Sequence, residues 1–387
     1  MDAALMDAAM DVTATEPLRR AAYTDAATFR AEQQRVFAGG WIALLFAHQL
    51  PDPGDQVPVE AAGLPLVAVR DRAGAVRVFH NVCRHRASLV VPEAVRGQPT
   101  LRCPYHGWAY GLDGALRATP LWDGQRVPTP GALDRARLGL REVRCGVWSD
   151  VVWIDLEGTA PPLEDHVAPL AALWQGYDMD VLRLAHYETG QIDANWKLAI
   201  EASIENYHEP FVHEKLPARL EAGQPDAGQP NMGQPTFTEV AQGAMFGFVT
   251  AADAALRSAT PLVPLRDPAA KRCDNLCYLF PNGQQNLFGG LAVRTIWVPL
   301  GVDRCEWRTS WYLVGAAADD DAHRPARDDM VAFWRQLRAE DKRAIEWMQR
   351  GRASPVADHL LLSPFWERSI GAFHTLWRAR MGDASDA

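Results

Sequence analysis

Apolar positions change rhythm along the chain. From about Tyr23 to Gly40 they recur at helical spacing and stop at a glycine pair, which predicts a helix. From Trp41 to Leu156 the runs are short: Trp41–Phe46, Leu64–Val69, Ala75–Val82 and Gly146–Leu156. Turn signals at Pro53-Gly54-Asp55, Arg72-Ala73-Gly74 and Asp113-Gly114 separate them, so this stretch predicts a compact all-β unit of hairpins. After Pro161-Pro162 strand and helix patterns mix, and the last 65 residues read as long helices. The expected parts are a helical segment 1–40 packing on the C-terminal domain, a β domain 41–160 and a second domain 161–387. Between Pro217 and Pro235 the triplet Gly-Gln-Pro recurs three times, which predicts a surface loop, either a plain linker or an active-site lid.

Composition narrows the choices. The chain has 387 residues, 48% hydrophobic and 22% charged, as in globular proteins. A net charge of −9 argues against nucleic acid or an anionic membrane as partner. No apolar run approaches the roughly 20 residues that span a bilayer. The first fifteen residues carry three aspartates and no Lys or Arg, unlike a secretory signal, so a cytoplasmic protein is expected. Six cysteines in a chain this long do not make a disulfide scaffold.

Two of those cysteines stand beside histidines. Cys83-Arg84-His85 is followed, after 17 intervening residues, by Cys103-Pro104-Tyr105-His106. Both pairs fall where hairpin tips are expected, with Asn81 closing the first run. Two Cys-plus-His pairs on neighbouring tips suit a [2Fe–2S] cluster with thiolates on one iron and imidazoles on the other. The competing structure is a Cys2His2 zinc site, which usually keeps its cysteines in one knuckle and its histidines in the other. Cys273, Cys277, Cys145 and Cys305 have no such neighbours and read as core packing.

A second constellation lies between Asn195 and His213. Leu198, Glu201, Ile204, Glu205, His208 and Val212 recur at helical spacing, which sets acids and a histidine on an apolar stripe where they need partners. His208 and His213 are five apart, roughly 140° around an ideal helix. They converge only if the helix bulges or ends between them, and Pro210 is the expected breaker. Two histidines need a carboxylate to form an Fe(II) facial triad. On the helical pattern Asp328–Gln349, Asp341 falls mid-stripe between Leu337 and Ile345, whereas Glu340, Asp328 and Asp329 fall to the side. Each residue alone is an ordinary core histidine or ion-paired acid; the combination points to a mononuclear metal.

The segments Asn81–Arg86 and Cys103–Tyr110 resemble the cluster signature of Rieske non-haem iron oxygenase (ring-hydroxylating oxygenase) α subunits. Asn195-Trp196-Lys197 through Glu205-x-Tyr207-His208-x4-His213 resembles their iron motif, and Glu340-Asp341 with Gln349 their third-ligand helix. The resemblance runs from about Phe37 to Phe373. It departs at Ala87, where Gly commonly stands, and at Ala202, where Asn often stands. It implies an α+β fold: an N-terminal all-β Rieske domain before a catalytic domain whose antiparallel sheet is flanked by helices, helix-grip or START-like. It implies Cys83, His85, Cys103 and His106 as cluster ligands, and His208, His213 and Asp341 as Fe(II) ligands. O2 is the implied co-substrate. Electrons are implied to come from NAD(P)H through a separate flavin/iron–sulfur reductase or a ferredoxin, since the chain has no nucleotide fingerprint of its own. In the family, chains form head-to-tail trimers, and an acid three residues before the first histidine bridges the iron of one chain to the cluster of the next. Here that acid is Glu205, implied to meet His208 and the partner subunit's His106. Relatives acting on quaternary ammonium compounds also have Glu there.

The expected reaction is O2-dependent hydroxylation of a small organic substrate, aromatic or related, as in aromatic hydrocarbon catabolism. The alternative within the same machinery is hydroxylation or N-demethylation of a methylated amine. The alternative outside it is a Rieske electron carrier, and a zinc-stapled binding module is more distant. Phe211, Leu287, Phe288, Trp297 and Trp347 are expected to line the pocket.

Overall fold

The computed structural model describes residues 16–125, 133–213, 237–251, 260–267 and 272–382. The repeat loop between Pro217 and Pro235 lies outside the described residues. The chain divides into two compact units, Gln33–Leu163 and, together, Met1–Glu32 with Glu164–Ala387.

The first unit is built on β-strands, with helical turns only at Gln33–Phe37, Ala47–Gln49 and Arg135–Leu138 among the described residues. Strands β1 (Trp41–Phe46), β2 (Gln56–Ala61), β3 (Leu64–Arg70), β4 (Val76–His80), β8 (Glu142–Trp148) and β9 (Val151–Asp155) form an antiparallel sheet in the order β1-β9-β8-β4-β3-β2. The short strands β5 (Thr100–Arg102), β6 (Ala109–Gly111) and β7 (Leu116–Ala118) form a second sheet. Val67, Val69, Phe79, Leu101, Tyr110 and Leu116 share a core with Cys83 and Cys103. Gly114 is required there: at φ +79° it turns the chain, and a Cβ would meet the Phe79 ring at 2.5 Å. Asn81 ties down the segment after the first cluster loop. Its Nδ2 donates to Val91 O at 2.7 Å, and its Oδ1 accepts from the amides of Val90 and Val91.

The second unit is built on a seven-stranded antiparallel sheet in the order β10-β16-β15-β14-β13-β12-β11. Its strands are β10 (Leu182–Ile192), β11 (Phe237–Gln242), β12 (Met245–Ala251), β13 (Cys273–Leu279), β14 (Gly283–Phe288), β15 (Leu291–Gly301) and β16 (Arg304–Val314). Its helices are α1 (Ala21–Thr24), α2 (Ala26–Glu32), α3 (Leu163–Trp174), α4 (Trp196–Ala202), α5 (Glu209–Val212), α6 (Arg324–Arg352) and α7 (Arg368–Met381). Register puts Gln284, Thr295, Thr309 and Glu188 in one row across four strands, so they share a face. Arg338 and Arg335 of α6 reach Thr309 and Glu188, so α6 covers that face. The sheet and flanking helices agree with the α+β catalytic domain expected from the sequence.

Buried charge fixes α4. Glu32 of α2 accepts from Trp196 Nε1 at 3.0 Å, from Trp377 Nε1 at 2.8 Å and from Lys197 Nζ, and both members of the Glu32–Lys197 pair are fully buried. Glu201 meets Tyr23 Oη at 2.6 Å and His374 Nε2 at 2.9 Å. Removing one partner of such a pair strands a charge and costs on the order of 3–5 kcal/mol. Asn195 caps α4 by accepting from Lys197 N, while Gln349 of α6 accepts from Asn195 N at 2.9 Å. Glu201, the acid of the apolar stripe that lies on α4, thus has its partners, and α4 leads into the iron motif from a fixed position.

Candidate functional site

The two cluster loops have the same backbone. In each, the amide four residues on donates to the cysteine carbonyl: Ala87 N to Cys83 O and Gly107 N to Cys103 O, both 3.0 Å. In each, the cysteine amide donates five residues on, to Ser88 O and Trp108 O, both 2.8 Å. Ala87 has φ +58° and Gly107 φ +72°, so both loops close in the left-handed region. Alanine at 87 therefore leaves the turn intact and carries the strain that glycine would avoid.

The donors come as two unlike pairs. Cys83 and Cys103 are 3% and 2% exposed. Burial, with Cys103 beside it, pushes the Cys83 thiol up, so metal binding would displace a proton this site otherwise holds. The rings of His85 and His106 lie 4.7 Å apart, with His85 half-buried and His106 exposed. Thiol beside thiol and ring beside ring suits a two-iron cluster, whereas a single zinc needs four donors at one point. Trp108 stacks on His85 at 5.0 Å, and Tyr110 Oη lies 3.4 Å from Cys83 Sγ while accepting from Arg84 N. Contacts to sulfur of this kind tune a cluster's potential. Tyr110 lay in the cluster motif, but its role was not readable without the fold.

The expected iron ligands meet in the second unit. Among the described residues, His208, His213 and Asp341 are the one group of three whose ligating atoms lie within 4.8 Å of one another. Asp341 Oδ1 is 3.4 Å from His208 Nε2 and 3.3 Å from His213 Nε2. That oxygen is buried without a hydrogen-bond partner. An orphaned carboxylate oxygen facing two imidazoles fits a cation.

The local route differs from the sequence expectation. The helix does not break at Pro210. It ends at Ala202, and a new one-turn helix, Glu209–Val212, begins with His208 before it and His213 after it. Pro210 sits in the first turn of α5, where no helical amide bond is lost, so it starts a helix instead of breaking one. The histidines converge because they flank that single turn.

Each histidine is held from behind. Glu205 accepts at His208 Nδ1 and also from the amides of Tyr207 and His208. Glu340 Oε2 lies 2.9 Å from His213 Nδ1, and Gln336 donates to Glu340 at 2.8 Å. A carboxylate on Nδ1 fixes its proton there and makes Nε2, turned toward Asp341, the atom that takes up either a further proton or a metal ion. Burial opposes charge on His208, but Asp341 and Glu205 outweigh it and raise the ring to about 10, which marks a site that demands positive charge. Glu340 was assigned to one side of the helix; the structure makes it the partner of His213.

The other sequence candidates fall as follows. Leu287 and Trp297 are buried and Phe288 half-buried on the sheet. Phe211 and Trp347 are 73% and 59% exposed, so neither encloses a pocket in the single chain. They were expected as apolar residues flanking the motif, but α5 and α6 carry them outward. All six cysteines are free, with Cys277 and Cys305 fully buried.

Two folded units, one with paired thiols and imidazoles and one with a two-histidine, one-carboxylate site, define a protein that joins a Rieske cluster to a mononuclear non-haem iron. Residues 178–383 match the family "Ring hydroxylating alpha subunit (catalytic domain)", and residues 40–129 match "Rieske [2Fe-2S] domain". The chain belongs to the ring hydroxylating alpha subunit family. It is 32% identical over 194 residues to the glycine betaine monooxygenase oxygenase subunit of Chromohalobacter salexigens, a match covering 50% of this chain and 42% of that protein. The chain thus spans less than half of that relative's length. It is 26% identical over 345 residues to chloroplastic choline monooxygenase of Beta vulgaris, covering 86% of this chain and 70% of that one. The structure of a quaternary ammonium Rieske monooxygenase superposes with a TM-score of 0.77 at 20% identity, covering 96% of both chains. Naphthalene 1,2-dioxygenase superposes at 0.75 and 22% identity, covering 96% of this chain and 94% of that one. These superpositions establish the shared fold. Among the described residues no helix is long and apolar enough to cross a membrane.

Proposed function

We propose that this chain is the oxygenase component of a multicomponent system that oxidises a methylated, quaternary-type amine with O2. One observation carries the oxygenase reading: two imidazoles held at Nδ1 by Glu205 and Glu340 converge through Nε2 on the orphaned oxygen of Asp341. An electron carrier has no use for this second site. The substrate class is favoured by the relatives matched at 26–32% identity, named for glycine betaine and choline, and by Glu at position 205. An arene substrate gains no such support, since the naphthalene enzyme shares the fold alone.

His208, His213 and Asp341 would hold Fe(II), and Cys83, Cys103, His85 and His106 the cluster. Together these groups supply O2 activation and single-electron transfer when bound. Glu205 and Glu340 keep the Nδ1 protons and aim both rings. Overall, one oxygen atom enters the substrate and the other leaves as water. Two electrons, from NAD(P)H through a separate reductase, and two protons balance the reaction.

Exposed apolar side chains support a head-to-tail homotrimer. Tyr207, Phe211, Trp347 and Phe365 are exposed in the catalytic unit, and Leu89, Tyr105 and Trp122 are exposed in the Rieske unit. Contact between such unlike patches is heterologous, the kind that builds a ring where the rotation closes. In it Glu205 would approach the partner subunit's His106. A reducing, cytoplasmic setting agrees with six free thiols.

The test is O2 uptake with a surrogate reductase across methylated amines, arenes and aromatic acids. The reading requires substrate-dependent uptake with an amine and incorporation of label from 18O2. Coupled uptake with arenes alone would reject the substrate class, and none with any substrate would reject the activity.

A further inference from the structure

Among the described residues one cation near the iron site, Arg338, makes no ion pair, although Asp341 and Glu188 favour its charge from farther off. Arg338 stands three residues before Asp341 on α6, so the two side chains leave one face of that helix about 5–6 Å apart. Its Nη2 donates to Thr309 Oγ1 at 2.5 Å and reaches Thr295 Oγ1 at 3.4 Å. Its guanidinium lies 4.1 Å from the Trp307 ring centroid and 5.5 Å from that of Trp311. Among the described residues it is in no ion pair. Neither acid contacts it: Glu188 pairs with Arg335 and His186, and Asp341 turns its Oδ1 toward the two imidazoles.

Two donors there find no acceptor among the described residues. Arg338 Nε is buried without a hydrogen-bond partner, and so is Trp311 Nε1, on a side chain only 1% exposed. Thr309 and Trp311 alternate on β16 and so share the sheet face that α6 covers. Burial lowers Arg338 only to about 10, so it stays charged near neutral pH. An unpaired buried cation beside an unsatisfied N–H donor is costly unless something anionic completes it.

We propose that Arg338 and Trp311 form an anion subsite for the carboxylate of the substrate. The amine oxidised is then zwitterionic, a betaine-type amino acid and not an amino alcohol. The carboxylate lies against Arg338 Nε and Trp311 Nε1, and the N-methyl end lies one helical turn away, toward Asp341. This deepens the substrate reading above and rests on it.

The test separates binding from turnover. Calorimetric titration of the iron-loaded protein uses glycine betaine and choline as probes, which share a trimethylammonium end and differ in the carboxylate. Wild type should bind glycine betaine and bind choline at least tenfold more weakly. Arg338→Gln should cost roughly ten- to hundredfold for glycine betaine and leave choline unchanged. Trp311→Phe keeps the ring and removes the N–H, so it should weaken glycine betaine alone, by less. Cluster absorbance and iron content check that each variant is folded. Binding of glycine betaine without turnover would overturn the oxygenase reading and leave the subsite standing. Equal binding of both probes, binding of neither, or equal losses for both in Arg338→Gln and Trp311→Phe would overturn the subsite.

Discussion

Glu340 and Asp341, neighbours on one helix, grip the same imidazole from opposite sides: Glu340 Oε2 lies 2.9 Å from Nδ1 of His213 and Asp341 Oδ1 lies 3.3 Å from its Nε2. The adjacent carboxylates therefore do different work, one orienting a ring and the other facing its lone pair. Glu340→Gln should keep the fold but weaken iron binding by roughly 10–100-fold, because the amide holds the Nδ1 proton less firmly. Competition with a ferrous chelator measures this, and unchanged affinity would remove Glu340 from the site.

Glu205 engages both carboxylate oxygens within its own chain and leaves 8% of its side chain exposed. As the proposed bridge to the neighbouring cluster, it controls electron transfer more than metal binding. At saturating ferrous iron Glu205→Gln should hold both metals yet fail to oxidise the cluster in step with product in a single turnover. Normal coupling in the variant would exclude the bridge.

Ala87 holds φ +58° where its counterpart in the other loop is Gly107 at φ +72°. An L-residue in this region costs about 1–2 kcal/mol, partly offset by the entropy glycine loses on folding. Ala87→Gly should stabilise the domain by about 0.5–1 kcal/mol, seen as a small rise in Tm with an unaltered cluster spectrum. A fall in Tm would show that the turn does not need glycine.

His166 gives the acid response a location. Burial, with Arg380 nearby, lowers its ring from 6.5 to about 4. The folded ring stays neutral while the unfolded chain takes a proton below about 6.5, so stability should fall as pH drops from about 6.5 to 4 and this contribution should level off below that. His166→Gln should flatten that part of the stability profile; an unchanged slope would place the acid response elsewhere.

Much of the site could be read along the chain, because its parts are local. Cys83-x-His85 and Cys103-x2-His106 each occupy one loop, and Asp341 stands out by helical phase alone. What could not be read depends on tertiary pairing. Glu340 meets His213 across 127 positions, and Arg338 meets Thr309 and Trp311 only through the register of β15 and β16. Pro210 starts a helix instead of breaking one because the helical phase stops at Ala202 and does not run through Ser203–Tyr207. Phe211 and Trp347, expected to line the pocket, both stand in solvent.

The most direct test of two iron sites in one chain is metal counting on wild type and Asp341→Ala. Wild type should carry three Fe per chain, two in a Rieske cluster with its characteristic spectrum and one as mononuclear ferrous iron. Asp341→Ala should carry two, with the cluster spectrum intact and turnover lost. Iron at two per chain in wild type, or Asp341→Ala with full iron and turnover, would contradict the assignment.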